Sequence, residues 1–216
     1  MSYTQDNWKA SDVVADTNRW TPKYFHSRVV RPAIESIDAQ TAELAARSEA
    51  GDLVTRAIAL PVQEMIRRDT TIAFCLVIQS QWERGFRRYV AARAKDIGEP
   101  GLAKKAICND WNKVEEAFFA VRGIDLKQLP HRDKLVLLQS LGSACRHGPG
   151  KKLDALSVSN PELWPEREGP SPQNDISMIG LCISPELLEE FVEAIAAFWN
   201  ALIADLIAAN STSAHD

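Results

Sequence analysis

The stretch Thr70–Asp96, TTIAFCLVIQSQWERGFRRYVAARAKD, decides the fold. Its early part, IAFCLVI, is an apolar run that a buried strand could also supply, because periodicity alone does not separate the two over so few residues. Length does. Ile72, Cys75, Leu76, Gln79, Trp82, Phe86, Tyr89 and Val90 keep a helical period far beyond strand length. The reading is a central helix over 70–96, capped by Thr70 or Thr71, with Arg84, Arg87, Arg88, Arg93 and Lys95 on its other faces.

Beyond it, residues 98–101 form a break, and a helix from Leu102 or Asn109 to Val121 follows, with Trp111, Val114, Glu115 and Phe118 as its stripe and Gly123 as its stop. Leu129-Pro130 opens the next helix, which contains Leu135–Lys152, LVLLQSLGSACRHGPGKK. There Leu135, Leu138, Gly142 and Cys145 share one face, while Ser140, Ser143 and Ala144 share a narrow small-residue face with His147. Gly148 suits the left-handed last step of a helix, and Pro149 prevents continuation. Residues 153–164 read as a short helix plus a loop, PEREGPSPQND as a loop, and 176–183 (ISMIGLCI) as one short extended segment. Ser184 caps the last helix, with Pro185 behind it and a stripe of Leu188, Phe191, Ile195, Phe198, Leu202 and Leu206. That stripe is broad enough to be deeply buried or shared with a second subunit.

Working back toward the N-terminus, residues 52–68 predict a helix that Pro61 kinks or divides. Thr21-Pro22 predicts the start of another, running to about Glu49. Residues 1–21 then read as a polar arm, and 210–216 as a disordered tail. The expected class is all-α, a helical bundle in a single domain over 22–209 with one short extended segment near 176–183.

Composition narrows the function classes. With 45% apolar residues the chain can bury a sizeable core. The four cysteines (Cys75, Cys108, Cys145, Cys182) form no CxxC pair and lie among mostly apolar neighbours, which suits buried, reduced thiols. The first residues lack the pattern of a secretory signal, and Ala194–Ala209 is too short and too polar to span a bilayer, so no membrane is expected and the expected location is cytoplasmic. The net charge of −4 is unevenly distributed: Arg84–Lys105 holds seven Lys/Arg against two acids, whereas the chain from Leu153 on holds eleven acids against Arg167.

Chemistry is sparse. The histidines His26, His131, His147 and His215 are scattered with no HExxH, so no metal and no cofactor is expected. No G-x-S-x-G elbow is present. The HGPGKK turn lacks the Ser/Thr of a phosphate loop and follows a helix rather than a strand. What remains is His147, flanked by Arg146, Lys151 and Lys152. Positive charge is favoured at the carbonyl end of a helix, and four basic groups around a Gly-rich turn suit an anionic backbone; ordinary capping of a helix end would use the same residues.

The run AFFAVRGIDL (117–126), followed after Leu129-Pro130 by an apolar helix ending in RHGPG (146–150), resembles the bacterial HEPN-type helical proteins of toxin–antitoxin and phage-defence systems. Trp82-Glu83 on the preceding long helix is similar to their layout, and the likeness covers 70–209. Many of these proteins carry an Arg-(four to six residues)-His signature and cleave RNA across a homodimer without metal. His147 and Gly150 match that pattern; the positions for the arginine, Ser140 to Gly142 and their neighbour Ser143, are uncharged. Arg132 lies about 22 Å up an ideal helix from His147. The resemblance implies His147 as general acid or base toward a ribose 2′-hydroxyl, with Arg146, or Arg132 from a second subunit, stabilising charge on the phosphate. It gives Glu83 the role of orienting the histidine, against a plain i,i+4 ion pair with Arg87. Arg84, Arg87, Arg88, Lys151 and Lys152 would carry the RNA backbone. The small-residue face and the last helix suggest a symmetric homodimer. Two other readings stand beside this one: a non-catalytic module that docks a partner protein, such as an antitoxin or defence-complex subunit, and a small-molecule enzyme taking an anionic substrate at the HGPGKK turn.

Overall fold

The computed structural model describes residues 8–148, 150–165 and 180–212, with side chains up to 204. Its α-helices are α1 (Ala10–Phe25), α2 (Arg31–Glu49), α3 (Leu60–Asp96), α4 (Pro100–Ala106), α5 (Trp111–Arg122), α6 (Arg132–His147), α7 (Lys151–Ser159) and α8 (Pro185–Thr212). Among the described residues there is no strand, so the class is all-α.

The first correction is at the N-terminus. Residues read as an arm form α1, and Pro22 lies inside it. Thr21 is no cap; its hydroxyl donates back to the Thr17 carbonyl at 2.9 Å. α1 then passes through a π turn, His26–Val30, straight into α2. A second π turn, Thr55–Ala59, leads into α3. Each ends two residues before a proline, Pro32 or Pro61. A proline has no N–H and its ring collides with the carbonyl four residues back; a widened turn accommodates both without ending the helix. Pro61 therefore divides nothing, and the helices expected over 52–68 and 70–96 are continuous. Thr71 sits in mid-helix, its hydroxyl on the Arg68 carbonyl at 2.8 Å.

Downstream, of the two starts expected for the helix up to Val121 the structure takes the later, and a separate short helix precedes it. α4 begins at Pro100, and Asp110 caps α5 by accepting the Asn112 N–H at 3.1 Å. Gly123 closes α5 at φ +69°, as its position predicted. Of the extended segment at 176–183, residues 176–179 lie outside the described residues. Residues 181–184 have no regular structure; Leu181 and Ile183 are buried, Cys182 is exposed, and the Cys182 N–H donates to the Leu163 carbonyl at 2.8 Å. Ser184 caps α8 through the Leu187 N–H at 3.1 Å. Helix continues to Thr212, past the expected start of the tail; residues 213–216 lie outside the described residues.

The backbone divides into two compact units, discontinuous in sequence. The first takes the described residues up to Lys23, Ser80–Leu135, and those from Val192 on. Its core is aromatic: Trp82, Phe86, Tyr89, Phe118, Phe198 and Trp199 are all essentially buried. Trp82 meets the Phe198 ring edge-on at 4.5 Å and stacks on Phe86 at 5.3 Å. Gly85 lets α1 close on α3, since a Cβ there would lie 2.6 Å from the Asn18 side-chain oxygen. The Ser11 N–H donates to Asp96 at 3.0 Å.

The second unit takes the described residues of Tyr24–Gln79 and Val136–Phe191. Its core is aliphatic, with Ile34, Ile78, Leu138, Leu141, Leu153, Leu156 and Leu188 buried. α6 packs closely against α3 at Gly142: a Cβ there would sit 2.6 Å from Cγ of the buried Gln79. Arg31 pairs with Glu189 and Arg67 with Asp38.

Candidate nucleic-acid interface

α6 ends as its sequence requires. Gly148 takes φ +70° and its N–H donates to the Ala144 carbonyl at 2.9 Å, satisfying one of the orphan carbonyls of the last turn. α7 begins at Lys151, earlier than the start expected at Leu153, with the Gly150 carbonyl accepting the Asp154 N–H at 3.0 Å. Lys151 and Lys152 therefore form the first turn of a helix. Cations there oppose the helix dipole, so the arrangement is not explained by helix capping. Arg146, His147, Lys151 and Lys152 are all exposed. Arg146 Nε is held by the Gly142 carbonyl at 3.0 Å, and Lys152 Nζ by the Ser143 hydroxyl at 2.8 Å.

The other expected site residues lie in the first unit, whereas this turn lies in the second. The Glu83 carboxylate accepts Arg87 Nη2 at 2.8 Å, the i,i+4 pair that the spacing allows. Arg87 is also committed, because Nη1 donates to the Cys108 carbonyl and the guanidinium covers the Trp111 ring at 5.5 Å. It ties α3 to the start of α5, and its side chain is only 17% exposed. Arg132 is likewise engaged: it meets Glu115 at 2.8 Å, on the oxygen that accepts the Trp111 indole N–H at 2.7 Å.

Arg84 and Arg88 remain exposed. They border a cleft of about 380 Å³ in the first unit, whose other walls include Thr17, Asn18, Thr21, Gln81 and Trp199. No carboxylate lines it. On two residues that line it, the Gln81 side-chain amide oxygen and the Trp199 indole N–H are buried without a hydrogen-bond partner among the described residues. Sequence reasoning missed the α1 side of this cleft. Gly85, a small residue within an otherwise bulky face of α3, was the available signal for a close approach.

In the small-residue face Ser140 and Ser143 are half-buried. Ala144 is fully buried, as are Leu188, Phe191, Ile195, Phe198 and Leu202. The thiols are free: Cys75 is buried, Cys108 and Cys145 half-buried, and Cys182 exposed, where burial was expected for all four. Desolvation raises the Cys75 thiol far above its ordinary range and pushes Cys145 up to about 11, so neither supplies a thiolate near neutral pH. Among the described residues no group of three or more His, Cys, Asp or Glu could hold a metal ion, and no helix is long and apolar enough to cross a membrane. No protein-family model matches the chain, and no curated protein or solved structure does.

Proposed function

We propose that this is an RNA-directed protein of the HEPN-like kind, belonging to a bacterial defence or toxin–antitoxin system, that contacts the phosphodiester backbone at the α6–α7 turn. The observation that carries the reading is the exposed set Arg146, His147, Lys151 and Lys152, gathered around two glycines with the lysines at a helix N-terminus where capping would favour acids. Lysines and backbone N–H groups there suit phosphate oxygens. The carboxylate-free edge at Arg84 and Arg88 is a second basic surface. Arg146 stands in for the arginine that is missing from Ser140 to Gly142, and His147 is the group placed to exchange a proton with a ribose hydroxyl. Glu83, Arg87 and Arg132 have no part in this version, since their side chains are held elsewhere.

The test is RNA cleavage in the presence of EDTA by the wild type and by His147→Ala. The reading predicts cleavage that the variant loses with its melting temperature unchanged, because an exposed histidine at a helix end contributes at most about 0.3–1 kcal/mol. Tight RNA binding without cleavage identifies a catalytically degenerate relative. Cleavage retained by His147→Ala removes the histidine from the account.

A further inference from the structure

The cleft in the first unit is built from two helix faces. Gln81, Arg84, Gly85 and Arg88 recur at i, i+3, i+4 and i+7 on α3, so they share one face. Thr17, Asn18, Thr21 and Pro22 of α1 supply the other wall. Gly85 sets the spacing. A Cβ there would lie 2.6 Å from Asn18 Oδ1, so a polar amide comes up to the α3 backbone at the position between the two arginines. The volume of about 380 Å³ falls within the roughly 300–1,000 Å³ of clefts that hold small molecules.

Its charge is one-sided. Arg19, Arg87 and Arg132 of the same unit each meet a carboxylate. Arg84 and Arg88 meet none among the described residues, and no carboxylate lines the cleft. Arg84 Nε is turned onto the Ser80 carbonyl at 3.1 Å, which leaves the Nη groups of that guanidinium for a ligand. Like charges four residues apart on a helix repel, and an anion bound by both removes that cost. A phosphate monoester carries about −1.5 to −2 charges at neutral pH and three acceptor oxygens. It therefore matches two guanidiniums better than a carboxylate or a backbone phosphodiester, each with a single charge. The Thr17 hydroxyl and the Asn18 and Gln81 amides suit the hydroxyls of a sugar rather than an apolar tail. Trp20 follows Thr17 by three residues on α1 and so neighbours it on the helix surface. Its ring is 45% exposed, an aromatic surface of the kind on which a base stacks.

We propose that this cleft binds a free nucleoside monophosphate, with the phosphate on Arg84 and Arg88, the sugar against Thr17 and Gln81, and the base on Trp20. The site is separate from the α6–α7 turn and does not depend on the RNA reading. Isothermal titration calorimetry on the full chain tests it. The probes are adenosine and uridine 5′-monophosphates, adenosine, and inorganic phosphate. A nucleotide should bind, and adenosine and inorganic phosphate should each bind at least about tenfold more weakly. Arg84→Gln and Arg88→Gln should each weaken nucleotide binding roughly tenfold or more, the worth of a charge-assisted hydrogen bond. Both side chains are exposed, so the melting temperature should hold. Trp20→Ala should weaken nucleotide binding and leave inorganic phosphate unaffected. Lys151→Gln combined with Lys152→Gln should bind nucleotide as the wild type does, which separates this site from the α6–α7 turn. Absence of binding by either nucleotide at millimolar concentration overturns the proposal, as do arginine variants with wild-type affinity. Inorganic phosphate held as tightly as the nucleotides would reduce the cleft to an anion site and overturn it too. So would a 5′-phosphorylated RNA that binds through Arg84 and Arg88 where the free nucleotides do not.

Discussion

The two parts of α3 carry similar amounts of apolar sequence and use it in opposite ways. In the first turns, residues 60–71, Val62, Met65 and Ile66 are left exposed and Gln63 and Thr71 are buried, before Cys75 and Ile78 return to the core. In Ser80–Asp96, Trp82, Phe86, Tyr89 and Val90 are buried, and Arg84 and Arg88 stand outside. Both parts have helical periodicity, because a 3.6-residue repeat follows from backbone geometry. Which stripe is covered depends on what packs against it, and one helix's pattern cannot encode that. A broad apolar stripe therefore locates a helix securely and its buried face less so.

The sharpest way to break this comparison is to truncate one residue from each part. Trp82→Ala removes a fully enclosed ring from the aromatic core and should cost about 3–5 kcal/mol in denaturant unfolding. Val62→Ala should stay within about 0.5 kcal/mol per chain, measured on monomer or extrapolated to it. Equal losses would mean that the early part of α3 is covered after all.

The early part is not loose throughout, and two glycines of α6 sharpen that point. Gly142→Ala drives a methyl into the buried Gln79 side chain and should cost about 1–3 kcal/mol. Gly148→Ala meets nothing in space, yet its φ of +70° should cost about 1 kcal/mol. Thermal melts of the two variants rank the steric cost against the conformational one.

Much of this was legible in the sequence, and the failures share a cause. Gly123, Ser184 and Gly148 mark helix ends because their local chemistry is sufficient by itself. Pro22 and Pro61 misled, since a proline reads as a boundary while a π turn or neighbouring packing keeps the helix going. For the site, the basic turn was visible as a short contiguous motif. The commitments of Glu83, Arg87 and Arg132 were less so. The i,i+4 pair of Glu83 with Arg87 was readable, but Cys108, Trp111 and Glu115 lie far along the chain and become partners only in the fold.

A smaller effect concerns the start of the π turn that leads into α3. The Asp52 carboxylate accepts the Thr55 N–H at 3.0 Å and its hydroxyl at 2.7 Å, and Arg47 lies 2.9 Å away. The Thr55 bonds first and Arg47 after them hold Asp52 down at about 2, against an ordinary 3.8. A carboxylate with a lowered folded-state pKa stabilises the fold above its unfolded value, and that contribution fades as pH falls from about 4 to about 2. Stability measured over this window should decline less steeply in Asp52→Asn than in the wild type. Parallel profiles would show that the cap does not hold the start of this helix.

The claim on which the functional account rests is that RNA meets the α6–α7 turn, and the salt dependence of binding tests it most directly. Fluorescence anisotropy with a labelled single-stranded RNA should give an affinity that falls linearly on a log–log plot against salt. Replacing Lys151 and Lys152 together by glutamine should weaken binding and flatten the slope by roughly 1.4, the share of two phosphate contacts on a single strand. Absence of binding at low salt, or a double variant with an unchanged slope and affinity, would contradict it.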